Sequence, residues 1–263
     1  MPTSFHAARV AMAALRSAAT YVLISVYLLI VGPPTLLIGL FTPVEDLVYI
    51  LSRIGVRLAL ALSGIRVRVA GREHLPAGRA AVYCGNHESN VDAPILFYVL
   101  HPRLHMLYKA EFSRVPILGP AMRHARCVPV YRDDRDRSIQ WLDEATAMLR
   151  AGTSFLFFPE GTRGRPGALR PFKKGGFIMA IQSQAPIVPV AMHGADGAMK
   201  RGGALIYPVT VSVRVGEPVE TAGCTVDDRD RLIDTVRARM GELLARGPLQ
   251  GVGRKAEGGG DSG

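Results

Sequence analysis

At 263 residues the chain is long enough for one catalytic domain with an appendage and too short for two full domains, and its 48% hydrophobic content supplies a real core. Lys and Arg outnumber Asp and Glu by 32 to 22, a net charge of +10, so the natural partners are anions such as phospholipid headgroups or phosphorylated small molecules. Nucleic acid is not expected as a partner, because the basic residues are scattered and form no stripe interleaved with aromatics.

The first element is an apolar run. From Ser17 to Val44 there is no charged residue, and Tyr21 to Val31 is as apolar as a bilayer-embedded helix. Gly32-Pro33-Pro34 removes two backbone donors and predicts a break or sharp kink there. Residues 17 to 31 alone would cover only about 22 Å, short of the roughly 30 Å hydrocarbon core. Arg9 and Arg16 precede the run, and Arg53, Arg57, Arg66, Arg68 and Arg72 follow it, so charge does not force its two ends to opposite sides. The expectation is a re-entrant or in-plane helical hairpin, with both ends cytoplasmic, in contact with membrane lipids at the inner membrane. A single span and a cleaved signal peptide are the alternatives, and the run is long for the latter, with no clean cleavage site. Residues 46 to 63 then read as a helix half sunk in lipid, with Arg53 and Arg57 snorkelling to phosphates.

The remainder alternates β-rich runs, at 66–70, 79–84, 104–108, 126–131, 154–158, 187–192 and 208–215, with helical patterns. The predicted fold is α/β, a central sheet flanked by helices. Residues 137–150 form the clearest helix, with Ile139, Leu142, Ala145, Thr146 and Leu149 on its inner face and Gly152 as its stop. A last helix is expected over about Asp227 to Ala245, with Leu232, Val236, Met240 and Leu243 or Leu244 facing the core. Three parts result: a membrane-anchoring segment at 1–65, a catalytic domain at 66–247, and a tail at 248–263 whose composition predicts disorder. Cys84, Cys127 and Cys224, odd in number and widely spaced, read as free thiols in a reducing compartment.

Two polar clusters interrupt apolar strands. In Asn86-His87-Glu88-Ser89-Asn90-Val91-Asp92, His87 and Asp92 would stand about 140° apart on one helix, so they meet only if His87 lies in the turn before a helix that Asp92 begins. Asp92 would then fix one imidazole nitrogen and leave the other basic. The plainer reading is a pair that ties a loop to a helix. Val91 stands where a metalloprotease motif requires His, so no zinc site is expected. In Phe158-Pro159-Glu160-Gly161-Thr162-Arg163 an apolar strand ends at a proline and turns polar; Gly161 permits close approach, Thr162 offers a hydroxyl and Arg163 a fork suited to phosphate. Read alone this is an ordinary turn; beside the first cluster it is a candidate phosphate clamp.

These blocks carry a resemblance. His87 to Asp92 matches the H-x-x-x-x-D block, and Phe158 to Arg163 the F-P-E-G-T-R block, of the glycerolipid acyltransferases. Tyr108-Lys109-Ala110-Glu111, with Pro116 and Gly119, looks like that family's second block, ending in Val128-Pro129-Val130-Tyr131-Arg132, and Ile187-Val188-Pro189-Val190 looks like its fourth. Tyr131 departs from the Asp that many relatives carry before the Arg, which weakens the case for Arg132. The resemblance implies His87 as general base and Asp92 as its partner. Lys109, Arg132, Glu160, Gly161, Thr162 and Arg163 become substrate-binding candidates, with backbone donors near Gly161 facing the oxyanion. It implies no metal and no cofactor beyond a co-substrate, acyl-CoA or acyl-carrier protein, and a lysophospholipid acceptor, lysophosphatidic acid first. An ornithine-derived or other lysolipid is the alternative acceptor. A catalytically silent lipid-binding protein is the rival of another class.

Overall fold

The computed structural model describes residues 2–100, 104–115, 118–124, 126–131 and 135–249. Arg132, Pro116 and residues 250–263 of the expected tail lie outside the described residues. Leu249, at the start of that tail, donates its backbone N–H to Ser212 Oγ at 3.0 Å.

The central sheet contains β1 (Arg66–Ala70), β2 (Val82–Gly85), β3 (Leu104–Lys109), β4 (Val128–Val130), β5 (Ser154–Phe157), β6 (Ile187–His193) and β7 (Thr210–Val215), in the order β1-β7-β6-β2-β5-β3-β4. Neighbours run parallel except β6 and β7. Strands covered on both faces need apolar side chains at every position. That is why β2 and β5 read as nearly continuous apolar runs, and every residue of both is buried, the one serine, Ser154, accepting the Ala81 N–H at 3.1 Å.

Alternation along the strands divides the core into two layers. On one face Tyr83, Leu156, Val188 and Val213 pack with Ile95 and Leu96 of α3 (Asp92–Val99). On the other, Val82, Cys84, Phe155 and Phe157 meet α5 (Arg135–Arg150), α6 (Gly175–Ser183) and α7 (Arg229–Ala245). The short α4 (Leu118–His124) leads into β4. In α7 Leu232, Val236, Met240, Leu243 and Leu244 are all buried. In α5 the expected inner face needs correction, because Ile139 is exposed and Trp141 is buried in its place. Trp141, Ala145 and Leu149 form an i, i+4, i+8 row, and rotating that row inward buries the larger indole. Gly175 makes room for it; a Cβ there would lie 2.9 Å from the ring.

The N-terminal segment differs most from its sequence reading. Helix α1 (Pro2–Ile38) runs unbroken through Gly32-Pro33-Pro34, and Ala7–Ile38 is long and apolar enough to cross a membrane by length and composition. Proline's fixed φ is itself helical, so its cost is the missing donors and crowding of the carbonyl four residues back. The Thr35 hydroxyl donates to Val31 O at 2.7 Å just beyond. The chain reverses only after Ile38, and α2 (Glu45–Ser63) returns along α1. Tyr27 clamps the two helices: its hydroxyl donates to Leu51 O at 2.7 Å, and its ring lies so close over Gly55 that a Cβ there would come within 2.9 Å. A hairpin is present, with its turn between Ile38 and Glu45 and not at the prolines.

Arg53 does not snorkel. Its guanidinium lies over the rings of Tyr49 and Tyr98, at 5.9 and 5.7 Å, and donates to Tyr98 O at 3.4 Å, which fastens α2 to α3. Arg57 stays exposed.

Candidate active site

β2, β5 and β3 are parallel neighbours, so their carboxyl ends open on one edge of the sheet, where α/β folds build their sites. His87 follows β2, Glu160 to Arg163 follow β5, and Lys109 ends β3.

His87 lies in the turn after β2, and Asp92 is the first residue of α3. Gly85 creates the space for that turn, since a Cβ would come 3.0 Å from Leu96 and 3.4 Å from Phe158. His87 Nδ1 sits 2.7 Å from Asp92 Oδ2, and the same oxygen accepts the N–H groups of Glu88 and Ser89 at 2.6 and 2.7 Å. Three bonds converging on one carboxylate oxygen fix the imidazole tautomer with its proton on Nδ1. Nε2 has no partner among the described residues, and the ring is 21% exposed. The ring also stacks on Phe158, with centroids 4.3 Å apart. Burial pushes the fully enclosed Asp92 carboxyl upward in pKa, opposed first by the His87 hydrogen bond and then by the two amides.

The two sequence clusters close on each other through the backbone of His87. Its N–H donates to Glu160 Oε1 at 3.0 Å, and its carbonyl accepts the Gly164 N–H at 2.7 Å. Glu160 Oε2 accepts the Arg170 N–H at 3.1 Å. Glu160, expected among the substrate-binding residues, is buried with each oxygen accepting a main-chain N–H. The φ of Gly161, 68°, suits glycine, but its N–H donates to Phe158 O at 3.0 Å within the turn, so that amide does not face an oxyanion. Thr162 is exposed beside it.

Arg163 is half-buried, and its Nη1 is enclosed without a hydrogen-bond partner. A buried guanidinium nitrogen without an acceptor is a costly group that a further partner would satisfy. Lys109 is exposed and ion-pairs with Glu111 at 3.0 Å. Cys84 is wholly buried, which removes it as a nucleophile. Among the described residues no group of His, Cys, Asp and Glu is arranged to hold a metal ion.

Sequence reasoning missed Asn86. Its side chain grips β6 at both ends, with Oδ1 accepting the Met192 N–H at 2.7 Å and Nδ2 donating to Met192 O at 3.1 Å. The partner lies 106 residues away, beyond any local signal.

An apolar cleft of about 400 Å³ lies between the hairpin and the sheet domain, lined by Tyr27, Val31, Val48, Phe97 and Met106 among others.

Residues 66–193 match the family model described as Acyltransferase. The 1-acyl-sn-glycerol-3-phosphate acyltransferase alpha of Mus musculus is 34% identical over 194 residues, which are 73% of this chain and 68% of that protein. The chain belongs to the 1-acyl-sn-glycerol-3-phosphate acyltransferase family. A second member of that family, the enzyme of Limnanthes douglasii, is 32% identical over 180 residues. The match covers 68% of this chain and 63% of the plant protein, so the shared part is about two thirds of each relative's length. The fold of the family is seen in the crystal structure of the 1-acyl-sn-glycerophosphate acyltransferase of Thermotoga maritima, with a TM-score of 0.78, 23% identity, and coverage of 90% of this chain and 97% of that one.

Proposed function

We propose that the protein transfers a fatty acyl group from acyl-CoA or acyl-carrier protein to the sn-2 hydroxyl of lysophosphatidic acid, giving phosphatidic acid. The observation that carries this reading is the unpartnered, enclosed Nη1 of Arg163, one residue from the Gly164 amide that is bonded to His87 O. The Gly164–His87 hydrogen bond ties the loop that carries Arg163 to the turn that carries His87, so a phosphate bound by that loop would stand beside the catalytic turn.

His87 Nε2 takes the proton as the hydroxyl oxygen attacks the thioester carbonyl, and the buried Asp92 carboxylate stabilises the imidazolium that forms. When the carbon–sulfur bond breaks, the proton passes from His87 to the departing thiolate. No acyl-enzyme is formed. Arg163 and Lys109 bind the acceptor phosphate, Arg132 assists, and Thr162 borders them. The apolar cleft beneath the hairpin suits an acyl chain, since its volume falls in the range of about 300–1,000 Å³ common for ligand pockets. Anchoring in a membrane, with the cytoplasmic face of the inner membrane as the proposed place, accords with Val22, Leu29, Ile30 and Leu37 of α1, which are large, apolar and exposed.

The test is a panel of lysolipids, each assayed with acyl-CoA and with acyl-carrier protein, on purified protein in detergent. Arg163→Ala should lower kcat/KM for lysophosphatidic acid about tenfold to a hundredfold, the worth of a charged hydrogen bond, while the donor's KM holds. Arg163→Lys should restore only part of it. No transfer to lysophosphatidic acid with either donor would overturn the reading, and a defect confined to the donor axis would move Arg163 out of the acceptor site.

A further inference from the structure

Between the two members of the His87–Asp92 pair lies another acid that the mechanism above leaves unused. Glu88 is buried. Its Oε1 accepts from Asn86 Nδ2 at 3.1 Å and from the Gly167 N–H at 3.5 Å, while Oε2 is enclosed without a hydrogen-bond partner. Through these bonds one carboxyl joins three segments: its own turn after β2, β6 by way of Asn86 and Met192, and the loop after β5 that carries Arg163.

The charges facing it are unfavourable to an anion. Asp92 acts from the start of α3, Asp196 from the segment after β6, and Glu160 from the turn after β5; the neighbouring His87 is already bonded to Asp92. A buried carboxylate oxygen with no donor, among three other acids, is far costlier than a neutral acid in the same place. We propose that Glu88 is a positioning residue that works in its protonated form, holding the Arg163 loop to the His87 turn, and that its ionisation weakens binding of an anionic acceptor.

Two consequences of ionisation act together. A charge on Glu88 disfavours a phosphate brought to the neighbouring loop, and it repels the Asp92 carboxylate on which His87 is aligned. Burial, reinforced by Asp92 and Asp196, raises this carboxyl to about 8, so the transition falls close to working pH. The inference rests on His87 and Arg163 serving the acceptor as described above.

The experiment is the pH profile of kcat/KM for lysophosphatidic acid in the wild type, Glu88→Gln and Glu88→Ala, joined to an infrared titration of the protonated-carboxyl band. In the wild type the profile should fall above a midpoint near 8, by about tenfold per pH unit as for a single ionisation. Glu88→Gln, which keeps a neutral acceptor for both bonds, should remain active and lose that alkaline fall. Glu88→Ala should be weaker at every pH. A role in packing alone would leave wild type and Glu88→Gln with the same alkaline limb, and that result overturns the proposal. The infrared arm reads the same group without turnover: a band present at neutral pH in the wild type and missing in Glu88→Gln supports a protonated Glu88, and its absence in the wild type refutes it. A protein that shows the band but acylates no lysophosphatidic acid would count against the acceptor assignment and not against the protonation state.

Discussion

Asp92→Asn isolates charge from geometry at the centre of the site. Asp92 Oδ2 accepts three hydrogen bonds, from His87 and from the amides of Glu88 and Ser89. An asparagine keeps all three only if its carbonyl oxygen takes that position, because its amide nitrogen there would oppose two backbone donors. The NH2 group then occupies the place of Oδ1, which is enclosed without a partner. The imidazole therefore stays in its tautomer while the negative charge beside it disappears. Two opposite charges about 4 Å apart attract by about 4 kcal/mol at an effective dielectric constant of 20, and a neutral hydrogen bond recovers about 1 kcal/mol. A net loss of about 3 kcal/mol corresponds to a fall in kcat of about a hundredfold. KM for both substrates should change little. The assay is steady-state kinetics in detergent, with circular dichroism to verify folding, beside His87→Ala, for which a general base predicts a loss of about 10² to 10⁴. Wild-type kcat in folded Asp92→Asn would refute electrostatic stabilisation of the imidazolium by Asp92.

Two further outcomes are expected. The carboxyl of Glu88 rises from 4.5 in the open chain to about 8 in the fold, so the folded protein retains a proton that the unfolded chain releases; its contribution to stability is complete below 4.5 and is lost as pH rises through about 8. Thermal unfolding should therefore give a lower Tm at the alkaline end of that window, with a flatter dependence in Glu88→Gln, and identical slopes would contradict the assignment. The hairpin predicts that cysteines placed at Ser4 and Glu73, in a chain lacking its native cysteines, are both protected from an impermeant reagent in intact cells. Labelling at position 4 alone would establish a single span.

The strands were legible because β2 and β5 are buried on both faces and, apart from Ser154 at the start of β5, carry apolar residues up to the carboxyl end of the sheet. His87 and Asp92 were legible because their spacing permits contact in only one local arrangement, a turn leading into a helix. The Gly32-Pro33-Pro34 interruption misled because proline is unfavourable in a helix for its missing donor, whereas its φ fits; a long helix packed against a partner absorbs the loss. Ile139 misled because periodicity fixes the spacing of a face and not its rotation, which Trp141 decided by size. Glu160 and Asn86 were opaque for another reason. Both spend their polar atoms on backbone groups far along the chain, so their types suggest chemistry while their contacts are scaffolding.

Helix α1 is not a loose leash. Near its middle Ser17 Oγ accepts the Ile206 N–H at 2.7 Å, and the Tyr21 hydroxyl donates to Ala204 O at 2.7 Å, so the helix is bolted to the segment leading into β7. If the apolar residues beyond Tyr21 enter a bilayer, these two bonds couple the bearing of the sheet domain to that of the helix. A domain mounted in this way would hold the candidate site at one depth and tilt. Lengthening α1 by a few residues would then lift or rotate the site relative to the headgroups, and turnover on bilayers would change while turnover in detergent would not.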